Sequence, residues 1–583
     1  MRGGAFALLL LFVTVCPRTR SPYLLSDVLR VCATLVCALS AWRLARSPVV
    51  QRWGVGVWRQ LATHARTTVF VLAIAVFALA VALGRWVVDP WPHISDEVAY
   101  WFQARAFAGG ELSFPAPEPD LASFFPSEWV ITHQGRWFSI FPPGWPLLLA
   151  IGVRLGVPSL VNPAIGAMTI VVIYRLLLRL TGQAKALAAV ILCALSPFYL
   201  FMCASFMSHP ASLLFNALAL LLFLEGTSTG RWAAFVLSGC CWGFAFIVRQ
   251  LDATVLWFAA AGYLALRHRT RPQLLGTFLS AAGLAAGAAI YAVYNHALAG
   301  RWIVWLVDLT SPRNHIGFGG GIGLPWSGYA TPGHTPWRAL LNLNFNMAVL
   351  SADLFGWPVS SLWPMIGLVC FGRLQGPHRL AAISLLAIIA GYACFWYHGV
   401  CFGARYYFVA LPALLLLTVE GLSQAPDWLA ARAPSARGAT AAFVAACFVF
   451  SALIYVPSVS LFEPYHNQWG VDRGLTDFVA ARGIDQGIVF VGPENGYFGR
   501  ALLLNASLPP TGDLIYAFEN GPRDDTLVRR FPGRPVFHYV QGDADRRWPP
   551  QLKRLLRTGY VADLLRLIST AVPLPRHLVE QPR

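Results

Sequence analysis

The chain has 583 residues, of which 57% are hydrophobic and 12% are charged, and its mean hydropathy is +0.56. Ordinary soluble domains carry roughly 25% charged residues, so a soluble fold could not bury this much apolar surface. The net charge of +17 does not indicate nucleic acid binding, because the arginines lie in short segments between apolar blocks rather than along one basic face. The composition therefore predicts a membrane protein with no nucleic acid partner.

Eleven apolar blocks are candidates for membrane-spanning helices, because a helix of roughly 20 apolar residues crosses the hydrocarbon core of a bilayer. Two weaker candidates, residues 5–16 and 23–42, precede them; the first is short enough to resemble the apolar part of a signal peptide. The sequence predicts an all-α polytopic membrane protein with about 11–13 transmembrane helices. The eleven blocks are residues 68–88, 158–180, 186–203, 209–225, 232–248, 253–266, 273–296, 359–372, 380–398, 406–423 and 440–457.

The distribution of arginine and lysine predicts which loops face the cytoplasm, because short loops rich in these residues remain inside. With the arginine-rich segment before residue 68 inside, every basic short loop also falls inside. The same alternation places four segments outside, including a turn at 399–405. We therefore expect a multi-pass protein of the inner (plasma) membrane whose active site faces the periplasmic or extracytoplasmic side.

Three regions follow from this pattern. Residues 1–66 hold the N-terminal membrane segments, and residues 67–457 form the transmembrane domain with outer loops at 89–157 and 297–358. The tail, residues 458–583, alternates short β-like patches with helical and turn segments. It predicts a small C-terminal α/β domain on the non-cytoplasmic side.

The first outer loop contains an adjacent pair of carboxylates, Asp96 and Glu97, just beyond a predicted span. The residues that follow predict an interfacial helix that carries Tyr100 on one face and ends near Gly109. Acidic residues in the first turn of a helix are stabilised by its dipole, so a capping role is the structural alternative. Carboxylates at membrane-facing clefts are often functional, which favours a role in chemistry.

Two further motifs stand near this pair. Pro-Pro-Gly at 142–144 closes the loop, and Val-Asn-Pro at 161–163 opens the next span. With the carboxylates at 96–97, they resemble the GT-C superfamily of polyprenyl-phosphate-sugar-dependent glycosyltransferases, in particular the branch with protein O-mannosyltransferases and the lipid A aminoarabinose transferase. The resemblance covers approximately residues 68–420. It implies many membrane helices around an outward-facing hydrophilic cavity, an essential acidic residue in the first loop, and a polyprenyl-phosphate sugar as donor.

An enzyme of this class transfers a sugar to an extracytoplasmic acceptor, and the sequence leaves open whether that acceptor is a glycan, a lipid or a protein. A sugar hydroxyl is a poor nucleophile, so an inverting transfer needs a carboxylate within reach of the acceptor proton. We expect Asp96 to be this catalytic base, with Glu97 as a helper or as the alternative base.

The departing polyprenyl phosphate carries negative charge that fixed cations must stabilise. Three arginines face outside by topology: Arg136, Arg249 and Arg405. Each also has a structural alternative, because Arg249 could pair with Asp252 and the other two could reach lipid headgroups. Arg405 is favoured because residues 403–407 resemble the basic and aromatic segment of the family.

Three other residues are candidates for substrate binding: Tyr100, His209 and Tyr406. A single histidine at a helix start is more often structural. The glycine run at 317–323 could serve as a lid or as a flexible connector. No metal ligands and no cofactor are assigned, and residue types alone do not decide whether a divalent metal takes part.

Two other classes of function remain as alternatives. A transporter or flippase of lipid-linked sugars would carry ionisable residues near the bilayer midplane, whereas this chain gathers its polar residues in outer loops. An inactive scaffold is disfavoured by the retained acidic pair. The enzyme is therefore the preferred hypothesis.

Overall fold

The computed structural model describes residues 2–14, 24–267, 270–324, 333–430, 439–461, 465, 471, 473–492 and 499–539. Most of this part of the chain is α-helical, and two small β-sheets lie outside the apolar helices. The all-α polytopic membrane fold predicted from the sequence is confirmed.

The α-helices are numbered here in chain order. They are α1 (Arg2–Thr14), α2 (Leu24–Leu44), α3 (Pro48–Thr63), α4 (Ala65–Trp86), α5 (Ser95–Ala108), α6 (Gly144–Arg154), α7 (Val161–Thr181), α8 (Gln183–Ala194), α9 (Pro197–Ala204), α10 (His209–Thr229), α11 (Trp232–Val248), α12 (Gln250–Arg267), α13 (Arg271–Ala299), α14 (Pro336–Asp353), α15 (Trp363–Phe371), α16 (Gly376–Ala393), α17 (Leu411–Ala430), α18 (Ala439–Phe450), α19 (Val456–Leu461), α20 (Gly474–Ala481) and α21 (Asp524–Arg530).

Within the described residues, seven helical segments are long and apolar enough to cross a membrane, or eight if α8 and α9, bent by 57°, form one broken span. Each of the eleven apolar blocks coincides with a helix, but some are shorter than a full span, such as α11 with 17 residues and α15 with 9. The full-length segments are Ala65–Trp86, Pro158–Thr181, His209–Thr229, Gln273–Ala299, Gly376–Ala393, Arg405–Trp428 and Ala439–Leu461.

Helices α11 and α13 approach each other closely through two pairs of glycines, Gly239 and Gly243 on one helix and Gly283 and Gly287 on the other. A Cβ placed on Gly243 would lie 2.4 Å from the carbonyl oxygen of Gly283. Small residues four apart let membrane helices bring their backbones together. Because α11 ends one residue before Arg249, this contact fixes the point from which that arginine extends.

The first outer loop and the C-terminal region each contain a three-stranded sheet. In the loop, β1 (Phe114–Pro115), β2 (Val130–His133) and β3 (Arg136–Ser139) are antiparallel in the order β1-β3-β2. In the C-terminal region, β4 (Gly487–Val491), β5 (Leu514–Phe518) and β6 (Val536–Tyr539) are parallel in the order β5-β4-β6, beside α20 and α21. We call residues 473–539 the outer domain; its mixed helices and strands agree with the predicted small α/β domain.

The outer domain packs directly on the first outer loop. Val98, Phe102 and Phe124 of the loop share a hydrophobic cluster with Ile488 and Leu503 of the outer domain. Two ion pairs cross the same contact, Arg473 with Asp89 at 3.1 Å and Arg530 with Glu118 at 2.8 Å. Residues in direct contact lie on one side of a membrane, which agrees with the expectation that loop and tail share a side.

The glycine contact between α11 and α13 gives a testable expectation. Gly243→Ala should lower the melting temperature of the detergent-solubilised protein, because its methyl group would meet the backbone of α13, and overpacking typically costs about 1–3 kcal/mol. Gly262→Ala in α12 is the matched control, since a Cβ there meets nothing within 4 Å. Equal melting temperatures for the two variants would contradict the close approach.

Candidate active site

Asp96 lies in the first turn of α5 and lines two adjoining cavities. The larger cavity has a volume of about 460 Å³ and the smaller about 210 Å³. Asp96, Arg405 and Tyr406 line both cavities, together with Phe141 and Asn314. The predicted base therefore stands where two ligands, one in each cavity, would meet.

Glu97 occupies a different environment from its neighbour. It is 1% exposed, and its two carboxylate oxygens accept hydrogen bonds from the backbone amides of His93 and Phe206, each at 2.8 Å. Burial raises the pKa of its carboxyl to about 7, although these amide bonds oppose the rise. Glu97 is not among the residues that line either cavity. Neighbouring side chains on a helix point about 100° apart, which explains why Asp96 lines the cavities and Glu97 does not.

The irregular segment 205–208, between α9 and α10, is held by three buried side chains. Glu97 accepts from the amide of Phe206, and the Trp145 indole donates to its carbonyl at 2.8 Å. The Asn162 amide donates to the carbonyls of Ser205 and Met207 at 2.6 and 2.9 Å. Buried backbone groups outside regular structure need such partners. Glu97 and Asn162 belong to the motifs at 96–97 and 161–163, and Trp145 directly follows the motif at 142–144.

Arg405 forms an ion pair with Asp96, with its Nη1 3.0 Å from Oδ2. The arginine side chain is 8% exposed and that of the aspartate 21%, so the pair is largely removed from water but open to the cavities. The Nε of Arg405 has no hydrogen-bond partner among the described residues. Because Arg405 lines both cavities, its guanidinium group can also interact with an anion bound there.

Tyr406 stacks on Tyr392, with ring centroids 4.4 Å apart and planes 9° from parallel. The turn before it requires a glycine at position 399, where φ is +71° and a Cβ would lie 2.1 Å from the Tyr406 ring. The tyrosine ring also lies beneath the guanidinium of Arg405, 5.4 Å from the ring centroid to Cζ. Tyr406 thus supports the arginine from one face.

Arg249 lines the smaller cavity and is held by three side chains. Its Nε donates to Asp252 at 2.9 Å, its Nη2 to the Tyr392 hydroxyl at 2.7 Å, and its Nη1 lies 3.4 Å from the Ser208 hydroxyl. The pairing with Asp252 considered from the sequence is present. The same guanidinium still borders the cavity, so pairing and ligand binding are compatible here.

The other predicted residues divide between the cavities and their surroundings. Tyr100 lines the smaller cavity, with its hydroxyl 3.3 Å from that of Ser208. His209 is 2% exposed, its ring nitrogens lack partners within the described ranges, and it lines neither cavity. Arg136 is exposed at the start of β3, outside both cavities. The sequence had grouped both residues with the site. Arg136 lies apart from the cavities, whereas His209 lies behind their lining, next to Ser208, whose hydroxyl contacts Tyr100 and Arg249.

Several residues of the larger cavity were not anticipated: Glu128 and Trp129 from the first loop, Trp396 from the segment that follows α16, and Arg500 from the outer domain. Glu128 and Trp129 are adjacent in a loop rich in aromatic residues, which is a weak signal. No local sequence pattern could place Arg500 at this cavity, because the carbonyl that it contacts belongs to His93, about 400 residues earlier in the chain.

The glycine run at 317–323 is held by specific contacts. Arg313 donates to the carbonyls of Gly320 and Gly321 at 3.3 and 3.0 Å, and Gly319 forms a β-bridge with His334. The lid function considered from the sequence stays a prediction. Across the part of the chain that the structure describes, no group of three or more His, Cys, Asp or Glu residues is arranged to hold a metal ion.

These features define a polytopic membrane protein with a charged, two-cavity site on the side that carries the outer domain. Residues 142–305 match the family model of dolichyl-phosphate-mannose-protein mannosyltransferases. For that segment, this match agrees with the resemblance to protein O-mannosyltransferases. The segment contains the motifs at 142–144 and 161–163 and also Arg249, whereas Asp96 precedes it and Arg405 follows it.

Solved structures are also similar to the chain at low sequence identity. ArnT from Cupriavidus metallidurans, bound to undecaprenyl phosphate, is 13% identical with a TM-score of 0.42, over 81% of this chain and 90% of that one. AglB from Archaeoglobus fulgidus, in complex with an inhibitory peptide and a dolichol-phosphate, is 12% identical with a TM-score of 0.35, over 68% and 55%. The mycobacterial arabinofuranosyltransferase AftD is 15% identical with a TM-score of 0.40, over 81% and 32%. No curated protein matches significantly.

The environment of Glu97 predicts a pH-dependent stability. At pH 5, Glu97→Gln should lower the free energy of unfolding by about 1–3 kcal/mol, because the new amide turns an N–H toward a backbone N–H. The stability difference between the two proteins should narrow as the pH rises from 4.5 to about 7. In this range the unfolded wild type releases the proton of this carboxyl while the folded protein, in which its pKa is raised, keeps the proton, so the free energy of unfolding of the wild type falls. Thermal melting across this pH range measures both effects.

The exposed Glu111→Gln is the control for this experiment, because its side chain lies on the surface after α5. Its stability should follow the wild type at every pH. If the difference in the free energy of unfolding between the wild type and Glu97→Gln widened with rising pH, the assigned environment of Glu97 would be contradicted.

Proposed function

We propose that this protein is a membrane glycosyltransferase that moves a sugar from a polyprenyl-phosphate carrier to an acceptor on the extracytoplasmic side. The observation that carries the proposal is the Asp96–Arg405 pair at the junction of two cavities. It places a carboxylate that can take a proton beside a guanidinium that can bind a phosphate. The family model matched by residues 142–305 supports the same reaction class.

The smaller cavity suits the donor phosphate. Arg249 and Arg405 both line it, and Arg405 retains an unpartnered Nε among the described residues. Two guanidinium groups can neutralise the charge that grows on the phosphate oxygens as the sugar–phosphate bond breaks. Tyr100 and Tyr406 provide hydroxyl groups on the same wall, which supports their predicted role in substrate binding.

Asp96 faces both cavities and can therefore act between donor and acceptor. As base, it accepts the proton of the acceptor hydroxyl while the oxygen attacks the anomeric carbon and polyprenyl phosphate departs. Glu97 has both oxygens engaged by backbone amides, so we assign it the structural role and not the second catalytic one. Arg136 has no part in this scheme.

The direct experiment incubates the purified protein with a panel of polyprenyl-phosphate sugars and measures release of polyprenyl phosphate. Sugar-dependent release is expected for at least one donor. A protein that moves such donors across proteoliposome membranes without cleaving them would instead be the transporter or flippase considered from the sequence.

Asp96→Asn should reduce transfer by about 10²–10⁴-fold, the usual contribution of a positioned acid or base. Asparagine keeps the size of the side chain and its place in the first helical turn but accepts no proton at neutral pH. The exposed Asp120→Asn in the same loop is the control and should transfer at the wild-type rate. Near-native transfer by a correctly folded Asp96→Asn would remove Asp96 as base.

Arg405→Lys should raise the KM for the donor although the side chain keeps its positive charge. A guanidinium can hold Asp96 and a phosphate oxygen through different nitrogens, whereas an ammonium is a compact point charge. Arg136→Lys, exposed outside both cavities, should leave the KM for the donor unchanged. Equal values for all three proteins would exclude Arg405 from the donor site.

A further inference from the structure

The larger cavity has a composition that differs from that of the smaller one. Its aromatic wall comprises Trp129, Phe141, Phe395, Trp396 and Tyr397. Its polar groups are Ser95, Asp96, Glu128, Asn314, Arg405 and Arg500. With about 460 Å³, it falls within the usual size range of small-molecule pockets.

We propose that this larger cavity binds a carbohydrate acceptor, with Trp129 as a stacking surface and Glu128 as a hydroxyl-binding group. The proposal rests on the proposed glycosyltransferase function and adds the chemical class of the acceptor. A sugar ring presents apolar C–H faces and a rim of hydroxyl groups. An aromatic wall beside alternating acceptors and donors matches both parts of such a ligand.

The charges around the cavity favour a polyhydroxylated ligand over a hydrocarbon one. The carboxylates of Asp96 and Glu128 face the same space as the guanidinium groups of Arg405 and Arg500, so the lining carries both signs. A lipid chain in this space would remove those charges from water without giving them hydrogen bonds, which is unfavourable. Hydroxyl groups can both donate to the carboxylates and accept from the guanidinium groups.

Glu128 and Trp129 are positioned by the β-sheet of the first loop. They immediately precede β2, and the carbonyl of Trp129 accepts the amide of Ile140 at 3.1 Å, just beyond β3. Glu128 is exposed to the cavity, yet the protein around it raises the pKa of its carboxyl through desolvation. The backbone of Trp129 is therefore tied to the end of this sheet, and Glu128 is its immediate neighbour.

The outer domain completes the far side of this cavity through Arg500. The Nε of this arginine donates to the carbonyl of His93 at 2.9 Å, four residues before Glu97. Burial lowers the pKa of Arg500 to about 10, so the group remains charged at neutral pH. Arg500 acts as a positioning residue that links the outer domain to the start of α5 and adds positive charge to the acceptor cavity.

Asp96 borders the same space as the proposed acceptor groups. Ser95, Asp96, Glu128 and Trp129 line the same cavity. An acceptor sugar that stacks on Trp129 and bonds Glu128 can therefore present a hydroxyl to Asp96, while the donor phosphate occupies the smaller cavity beyond it. The two substrates then meet at the Asp96–Arg405 pair.

The test measures binding of fluorescently end-labelled di- to tetrasaccharides of neutral hexoses and hexuronic acids to the full-length protein in lipid nanodiscs. Wild type should bind at least one of these saccharides. Trp129→Leu and Glu128→Gln should each weaken that binding tenfold or more, and Trp129→Phe should retain most of it, because a flat ring remains. The exposed Trp337→Leu and Glu111→Gln are matched controls and should bind as wild type.

Binding of undecaprenyl phosphate to the same proteins separates this inference from the proposed function. Binding of undecaprenyl phosphate should be unchanged in Trp129→Leu and Glu128→Gln. If the wild type did not bind undecaprenyl phosphate, that result would count against the proposed function alone. Wild type that binds a Ser/Thr-rich peptide or a phosphatidylglycerol vesicle but no saccharide would overturn the carbohydrate assignment. Saccharide binding that is the same in both variants as in wild type would overturn it too.

Discussion

The buried carboxylate of Glu97 joins the elements on which the site depends. One oxygen accepts from the amide that precedes α5, and the other accepts from the irregular turn between α9 and α10. A buried charge without such partners would be strongly unfavourable, so the two backbone segments and the carboxylate require one another. Trp145 and Asn162 satisfy the carbonyls of the same turn. Asp96 points into the cavities because its neighbour is fixed in this way.

The charged groups near the cavities form two arginine–aspartate pairs. Asp96 and Arg405 meet at 3.0 Å on the boundary between the cavities, and Arg249, bonded to Asp252 and Tyr392, borders the smaller cavity. Each arginine is paired with an aspartate, so the two guanidinium groups can stand beside the cavities without a large unbalanced charge. An incoming phosphate can share Arg405 with Asp96, which would leave the carboxylate close to the reacting hydroxyl.

The sequence predicted the membrane helices well, because runs of about 20 apolar residues carry their signal locally. Asp96, Arg249 and Arg405, three of the charged residues that it singled out beside apolar spans, line the cavities. It could not show how differently Asp96 and Glu97 are surrounded, because adjacent acidic residues differ only in the direction of their side chains. Arg136 was placed outside by the same topology as Arg405, yet it lies exposed on a hairpin. Arg500 depends on contact between segments about 400 residues apart, for which one sequence gives no signal.

The packing of the outer domain on the first loop bears on how the protein is made. Phe102 and Phe124, near the beginning of the chain, share a core with Ile488 and Leu503 near its end. During synthesis the loop leaves the ribosome long before its partner does, and its apolar face cannot be covered until the last spans have been inserted. Contacts of such long sequence separation form late. The larger cavity, which Arg500 of the outer domain lines, is therefore completed only in a chain that has been translated through to that domain, so a protein truncated during synthesis would lack part of its wall.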